Sequence, residues 1–291
     1  MGTINFRNVS KVYGKNRAVD NIDATIYPNK IYGLLGRNGA GKTTMLNMLT
    51  NKIFPTTGTI KINGESVSEN QELLSKVFYM MEKNIYPEAM KVKEVFKWTS
   101  KFYPNFELDY ANNLADKFEL NIDKKVKELS TGYTSIFKVI VALASNAETI
   151  IFDEPVLGLD AYHRDMLYKE ILSNYIKKPK TMIISTHLIE EVADILEEVI
   201  IIKNGKLIKH QAVEELLKSA YTVSGKAEKV DQFANNKKII GEETLGNFKA
   251  ITIMESYKDE ALAKKLDVEI SKPELQKLFI SLSRSKGGSL K

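Results

Sequence analysis

Gly36, Gly41, Lys42 and Thr43 stand in the order Gly-x-x-x-x-Gly-Lys-Thr, inside the stretch Leu34-Leu35-Gly36-Arg37-Asn38-Gly39-Ala40-Gly41-Lys42-Thr43-Thr44. That spacing is a phosphate-binding loop pattern. Glycines let the backbone turn several N–H groups toward one anion, because no Cβ blocks positive φ or close approach. A helix beginning at the lysine would aim its positive end at the same anion. Lys42 would reach β- and γ-phosphate oxygens, and the Thr43 hydroxyl would ligate Mg²⁺. Asn38, Gly39, Ala40, Gly41 and Thr44 complete the candidate nucleotide contact. The competing reading is a chance glycine-rich turn, and the flanks oppose it. Residues 31–35 are an apolar run fit for a buried strand, and Met45, Leu46, Met48 and Leu49 give the following helix an apolar face.

Further along, the β-branched and aromatic run 149–152 ends in Asp153-Glu154. Carboxylates at the C-terminal end of a parallel strand sit where ligands bind in α/β sheets. Asp153 fits a role in holding Mg²⁺ through water, and Glu154 fits a base or an orienter of an attacking water. Another apolar run, 181–186, delivers His187 at its end, either to a γ-phosphate or as an ordinary structural histidine. Glu128-Leu129-Ser130-Thr131-Gly132-Tyr133 opens a helix whose Ile136, Val139, Ile140, Leu143 and Ala144 keep helical spacing. It is a second potential anion site or simply a cap. Tyr13, just past a predicted edge strand, could stack on a base or merely pack.

The elements that position these residues follow from pattern. Residues 3–9 alternate as a half-buried strand, and 19–26 form a second one that ends at the Tyr27-Pro28-Asn29 turn. Short strands are expected at 59–62 and 76–80, the latter running into Met81-Glu82. From 91 to 127 the composition turns helical and aromatic (Phe96, Trp98, Phe102, Tyr103, Phe106, Phe118), which reads as an insertion with part of its aromatics free to dock another protein. A hairpin is expected around Asn204-Gly205, and a helix at 212–219 is expected to close the first domain. Beyond it, strands at 221–224, 248–253 and 268–270 and helices at 229–235, 259–266 and from Leu275 make a small α+β appendage, with an unstructured tail at 285–291.

Composition narrows the class. The 291 residues contain no cysteine and only three histidines, His163, His187 and His210, so disulfides, thiolate metal sites and an obvious histidine cage are excluded. A net charge of +5 is mild: it could favour acidic lipid or nucleic-acid surfaces, but a solvated lysine-rich surface accounts for it, and no nucleic-acid partner is expected. No apolar run approaches the ~18 residues that span a bilayer, and no leader is recognisable. The expectation is a cytoplasmic chain whose membrane role, if any, is borrowed from a partner.

Taken together, the phosphate loop, Leu129-Ser130-Thr131-Gly132-Tyr133, Ile150-Ile151-Phe152-Asp153-Glu154-Pro155, Gly158-Leu159-Asp160 and Ser185-Thr186-His187 resemble the nucleotide-binding subunit of ABC transporters over roughly residues 3–215. The resemblance implies an α/β P-loop NTPase (RecA-like) core with a β subdomain and a helical insertion at about 88–145. Residues 1–219 would be the ATPase domain and 220–291 a small accessory domain. It implies that Tyr13 stacks on adenine, Glu154 activates water, His187 senses the γ-phosphate and Asp160 communicates across a dimer. Ser130 and Gly132 would serve, in trans, the ATP held by a second nucleotide-binding subunit, alike or paralogous. A transmembrane permease subunit would hold the pair at the inner face of the membrane.

Two departures stand out. Glu82 occupies the position where the family usually has a glutamine that contacts Mg²⁺, and Thr131 and Tyr133 replace a commoner glycine and glutamine. These features and the extra domain look similar to bacterial exporters of bacitracin-like antibiotics and membrane-active peptides. The rival readings are a soluble ATPase of the same type acting on ribosomes or DNA, and a weakly hydrolysing regulatory subunit.

Overall fold

The computed structural model describes residues 2–68 and 70–284. The chain divides into two compact units, one ending at His210 and the other beginning at Gln211. In the first, β1 (Ile4–Tyr13) pairs with β2 (Asn16–Ile26), and β3 (Ile31–Leu35) is buried along its whole length, as an inner strand of a covered parallel sheet must be. The phosphate loop follows, then α1 (Lys42–Leu49), whose Met45, Leu46, Met48 and Leu49 are all buried. Each such side chain contributes about 1.5–3 kcal/mol to fixing the helix in place. Next come β4 (Thr57–Ile62), β5 (Glu65–Ser66), α2 (Gln71–Ser75) and β6 (Val77–Met80). The helical insertion holds α3 (Val92–Phe102), α4 (Leu108–Lys117) and α5 (Thr131–Ala144). Then come β7 (Thr149–Asp153), α6 (Ala161–Lys177), β8 (Thr181–Thr186), α7 (Ile189–Val192), β9 (Glu198–Lys203) and β10 (Lys206–Ala212), within which the first unit ends.

Two sheets result, an antiparallel one in the order β2-β1-β4-β5 and a six-stranded one in the order β10-β9-β3-β8-β7-β6. Ile4, Phe6, Ile60 and Ile62 from the first share a core with Met45, Leu46 and Leu49 of α1 and with Ile151, Ile183 and Ile200 of the second. The phosphate-loop helix is thus packed into the joint between the two sheets.

Register in the large sheet decides the site. β3 pairs in parallel with β8 so that Leu35 faces Thr186, β8 with β7 so that Ser185 faces Asp153, and β7 with β6 so that Phe152 faces Met80. The C-terminal ends of four strands therefore share one edge, which is where α/β sheets bind ligands.

β1 continues to Tyr13, four residues beyond the expected end. Its register with β2 shifts between Phe6 and Val9 and again after Val9, and Asn8 takes a φ of 48°. Each bulge moves the side-chain alternation out of phase, so the period-2 signal stops while the strand goes on. Of the insertion's aromatics, Phe96, Phe106 and Phe118 are buried, whereas Trp98 and Phe102 are exposed and stack on each other with centroids 6.2 Å apart.

In the second unit, α8 (Val213–Lys218) precedes β11 (Tyr221–Lys226), α9 (Ala227–Phe233), β12 (Ile239–Leu245), β13 (Phe248–Ile253), α10 (Glu260–Leu266), β14 (Glu269–Ser271) and α11 (Leu275–Arg284). The antiparallel sheet runs β12-β13-β11-β14, which with the helix order is a split βαβ arrangement. Tyr221, Val223, Val230, Phe233, Ile251 and Ile253 form its own core. The helix at 213–218, expected to close the first domain, lies after the division at His210. The expected tail at 285–291 lies outside the described residues.

Candidate nucleotide-binding site

The phosphate loop leaves β3 at the shared edge and turns back into α1 through Gly41, whose φ of 110° excludes most side chains. A Cβ on Gly41 would lie 2.5 Å from the Ala18 carbonyl oxygen, and one on Gly36 would lie 2.7 Å from that of Ile202. Both glycines are required by close backbone approach. The loop is braced by the hairpin at Asn204-Gly205, because the Gly205 N–H donates to Ala40 O at 2.9 Å and the Asp20 N–H donates to Gly205 O at 2.8 Å.

Lys42 is buried and donates through Nζ to the Gly36 carbonyl at 2.7 Å, with Glu154 Oε1 at 4.0 Å. Burial holds its pKa below the ordinary lysine value, while Glu154, Asp153 and Glu82 pull the other way. Thr43 Oγ1 donates to Asp153 Oδ2 at 3.0 Å. Asp153, 1% exposed, is the last residue of β7. Glu154 follows with a φ of 50°, a conformation that costs a non-glycine residue about 1–2 kcal/mol. The turn swings its carboxylate to where Thr186 Oγ1 donates to Oε2 at 3.2 Å and His187 Nδ1 lies 3.0 Å from Oε1. Strand ends that are far apart in sequence thus converge on one carboxylate.

A cavity of about 580 Å³ opens here. Tyr13, Asn38, Gly39, Ala40, Gly41, Lys42, Thr43, Thr44, Glu82, Asp153 and Glu154 all line it. Asn16, Arg17, Ala18, Asn204 and Gly205 also line it and come from the two hairpins that border the loop. Tyr13 is half-exposed at its mouth, with Lys11 Nζ 5.2 Å from the ring centroid. Ser130 and Gly132 are not among the lining residues. The Ser130 hydroxyl caps α5 by accepting from the Tyr133 N–H at 3.2 Å. Gly132 is buried so closely that a Cβ there would meet the Gly158 carbonyl oxygen at 2.7 Å. Asp160 caps α6, accepting from the His163 N–H at 2.9 Å.

Three side chains that the sequence reading did not assign to the site make polar contacts there. Thr186 reaches Glu154, and the Tyr79 hydroxyl donates to Asp153 Oδ2 at 3.1 Å. Lys138 of α5, buried, donates to the carbonyls of Met81 at 2.9 Å and Glu82 at 2.7 Å. Burial pushes its pKa down to about 8, against the nearby Glu82 and Asp153. A hydroxyl just before His187 was a usable signal for Thr186. The other two depend on neighbours 74 and 56 residues away.

A phosphate loop on β3 and an acidic pair after β7 at one edge of a parallel sheet define a P-loop nucleoside triphosphatase. The family profile described as ABC transporter matches residues 19–157. The chain is 29% identical over 213 residues to the ABC transporter ATP-binding protein YtrB of Bacillus subtilis (strain 168), covering 73% of each chain. It is 32% identical over 223 residues to the Nod factor export ATP-binding protein I of Burkholderia orbicola, covering 74% of this chain and 73% of that protein. Among solved structures, a dimeric ATP-binding cassette in a post-hydrolysis state with ADP and Pi superposes with a TM-score of 0.65 at 22% identity, over 72% of this chain and 98% of that one. The chain belongs to the ATP-binding proteins of the ABC transporter family and is an ATPase.

Proposed function

We propose that this chain binds Mg-ATP in the cavity beneath Tyr13, closes on it against the Ser130–Gly132 turn of a second nucleotide-binding subunit, and hydrolyses it to drive export through a separate permease. The carrying observation is the convergence of Lys42, Thr43, Asp153, Glu154 and His187 on one sheet edge while Ser130 stands outside the cavity of its own chain. One lysine and one helix end leave γ-phosphate charge uncovered, and a facing helix N-terminus would cover it. A similar cassette is a dimer in a post-hydrolysis state with ADP and Pi, which supports pairing of two such subunits.

Thr43 and Asp153 offer a hydroxyl and a carboxylate 3.0 Å apart, oxygen donors of the kind Mg²⁺ takes together with phosphate oxygens and water. Glu82 lines the same cavity and would add a further carboxylate. The ion supplies charge neutralisation across the β- and γ-phosphates when bound. Glu154 would accept the proton of the water that attacks the γ-phosphorus, and His187 would hold Glu154 and reach the γ-phosphate. Lys42 would stabilise the transferring charge.

For the permease, the reading relies on an apolar groove of about 590 Å³ lined by Leu74, Phe78, Ile85, Trp98 and Phe102, which suits an amphipathic segment of a membrane subunit. Among the described residues no helix is long and apolar enough to cross a membrane, so the inner-face location would depend on that partner. The cargo would be an antibiotic or a membrane-active peptide. Residues 220–291 are read as an accessory domain that supports the dimer.

The test is ATP hydrolysis by the purified chain with and without the candidate permease reconstituted in vesicles, together with disulfide trapping between Ser130→Cys of one copy and Asn38→Cys of another. Permease-stimulated turnover and ATP-dependent trapping are expected. Co-purification with ribosomes or DNA instead of a permease, or no trapping at any nucleotide concentration, would overturn the reading.

A further inference from the structure

Asp153 Oδ2 receives two side-chain donors, Thr43 Oγ1 at 3.0 Å and the Tyr79 hydroxyl at 3.1 Å. Thr43 belongs to the phosphate loop. Tyr79 belongs to no nucleotide-binding motif: it stands on β6, paired with Ile151 of β7, and its ring packs on the core between the two sheets. The same residue lines the apolar groove with Phe78, Ile85, Trp98 and Phe102. The groove and the nucleotide cavity have no lining residue in common. Tyr79 joins them, since it lines one and its hydroxyl donates to a carboxylate that lines the other.

We propose that Tyr79 is a positioning residue for Asp153, fixing the carboxylate for the cation of the nucleotide complex and tying its orientation to the state of the groove. The inference rests on the reading of Asp153 as a metal-holding group. Its physical basis is directional. A carboxylate at the end of a strand can rotate about its side-chain bonds, and two donors arriving from different elements on one oxygen fix that rotation. A segment that enters the groove meets the residue that carries this donor. Packed interiors pass displacements on, because few voids are available to absorb them. Linkage then requires the reverse effect, so that metal bound with ATP alters the groove.

Trp98 reads the groove directly, since it lines it and is the only tryptophan of the chain. The experiment is a Mg²⁺ titration of the full-length protein at saturating ATP, following hydrolysis and Trp98 emission, for wild type, Tyr79→Phe and Asp153→Asn. Tyr79→Phe keeps the ring and its packing on the core and removes only the hydroxyl. Its half-saturating Mg²⁺ is expected to rise roughly tenfold, the scale of losing one hydrogen bond to a charged group, with kcat at saturating Mg²⁺ changed little. The Mg²⁺-dependent change in Trp98 emission, present in wild type, is expected to disappear while ATP still binds.

An unaltered Mg²⁺ requirement in Tyr79→Phe with a shifted one in Asp153→Asn overturns the inference alone. An unaltered requirement in Asp153→Asn overturns the metal reading and the inference with it. If wild-type Trp98 emission does not respond to Mg²⁺, the link to the groove is overturned, whatever the variants do.

Discussion

Lys42 Nζ stands 4.0 Å from Glu154 Oε1, and that same oxygen lies 3.0 Å from His187 Nδ1. The lysine opens α1 after β3, the glutamate follows β7 and the histidine follows β8. The carboxylate that follows β7 therefore gathers groups that follow β3 and β8, and Thr186 adds a third contact on its other oxygen. The left-handed backbone at Glu154 is held by its N–H donating to Ser185 O at 2.8 Å. A residue placed at such conformational cost and given such partners is where the chemistry should be most sensitive.

Glu154→Gln keeps the shape and removes the charge. Turnover is expected to fall by about 10²–10⁴, the usual weight of a positioned general base, with ATP binding retained. Single-turnover hydrolysis beside equilibrium ATP binding checks it, and near-normal turnover would remove Glu154 from its role.

Gly132→Ala sets two effects against each other. Alanine favours a helix over glycine by about 1 kcal/mol. The new Cβ, however, would sit 2.7 Å from the Gly158 carbonyl oxygen, and forcing extra volume into a packed site costs about 1–3 kcal/mol. The clash is against backbone, so it should win. A lower urea midpoint and slower hydrolysis are expected, through displacement of the turn that carries Ser130. A midpoint at or above the wild-type value would show that the 156–159 segment yields freely.

Tyr13→Ala should weaken ATP binding roughly tenfold if the ring stacks on adenine, since stacking of a base on an aromatic is worth about 1–3 kcal/mol. Tyr13→Trp should restore it. Calorimetric titration of both variants decides the matter, and equal affinity in Tyr13→Ala would leave Tyr13 as a hairpin residue only.

Lys138 predicts a pH dependence. Burial lowers its folded pKa to about 8 from the ordinary 10.5, so between those values the unfolded chain binds the proton and the folded chain does not. Stability linked to this group therefore rises as pH increases through that window. Compared at a series of pH values, the unfolding midpoint of wild type is expected to move in its favour relative to Lys138→Met from pH 8 to 10. A constant difference would mean that the lysine keeps its ordinary pKa. At neutral pH the variant should already be less stable, because the Met81 and Glu82 carbonyls lose their donor.

How far the sequence reached follows the range of the forces involved. The phosphate loop was legible because its requirement is local: glycines where the turn takes positive φ, as at Gly39 and Gly41, a wholly apolar strand before them and an apolar helix face after them. Asp153-Glu154 and His187 were legible for the same reason, each being the polar end of a buried run. β12 was not, since its residues are mostly exposed and leave no apolar alternation to read. The end of β1 was lost where its bulges reset the alternation.

By itself, then, the sequence determined which groups could hold a nucleotide, because spacing along a chain of fixed bond lengths dictates what one turn can do. Tertiary structure alone decided that Leu35, Thr186, Asp153 and Met80 end on one edge, that Tyr79 touches Asp153, and that Lys138 holds the Glu82 segment. Those relationships depend on strand order and on helix packing across more than fifty residues of chain. Their free energy comes from burying surfaces that no local window contains.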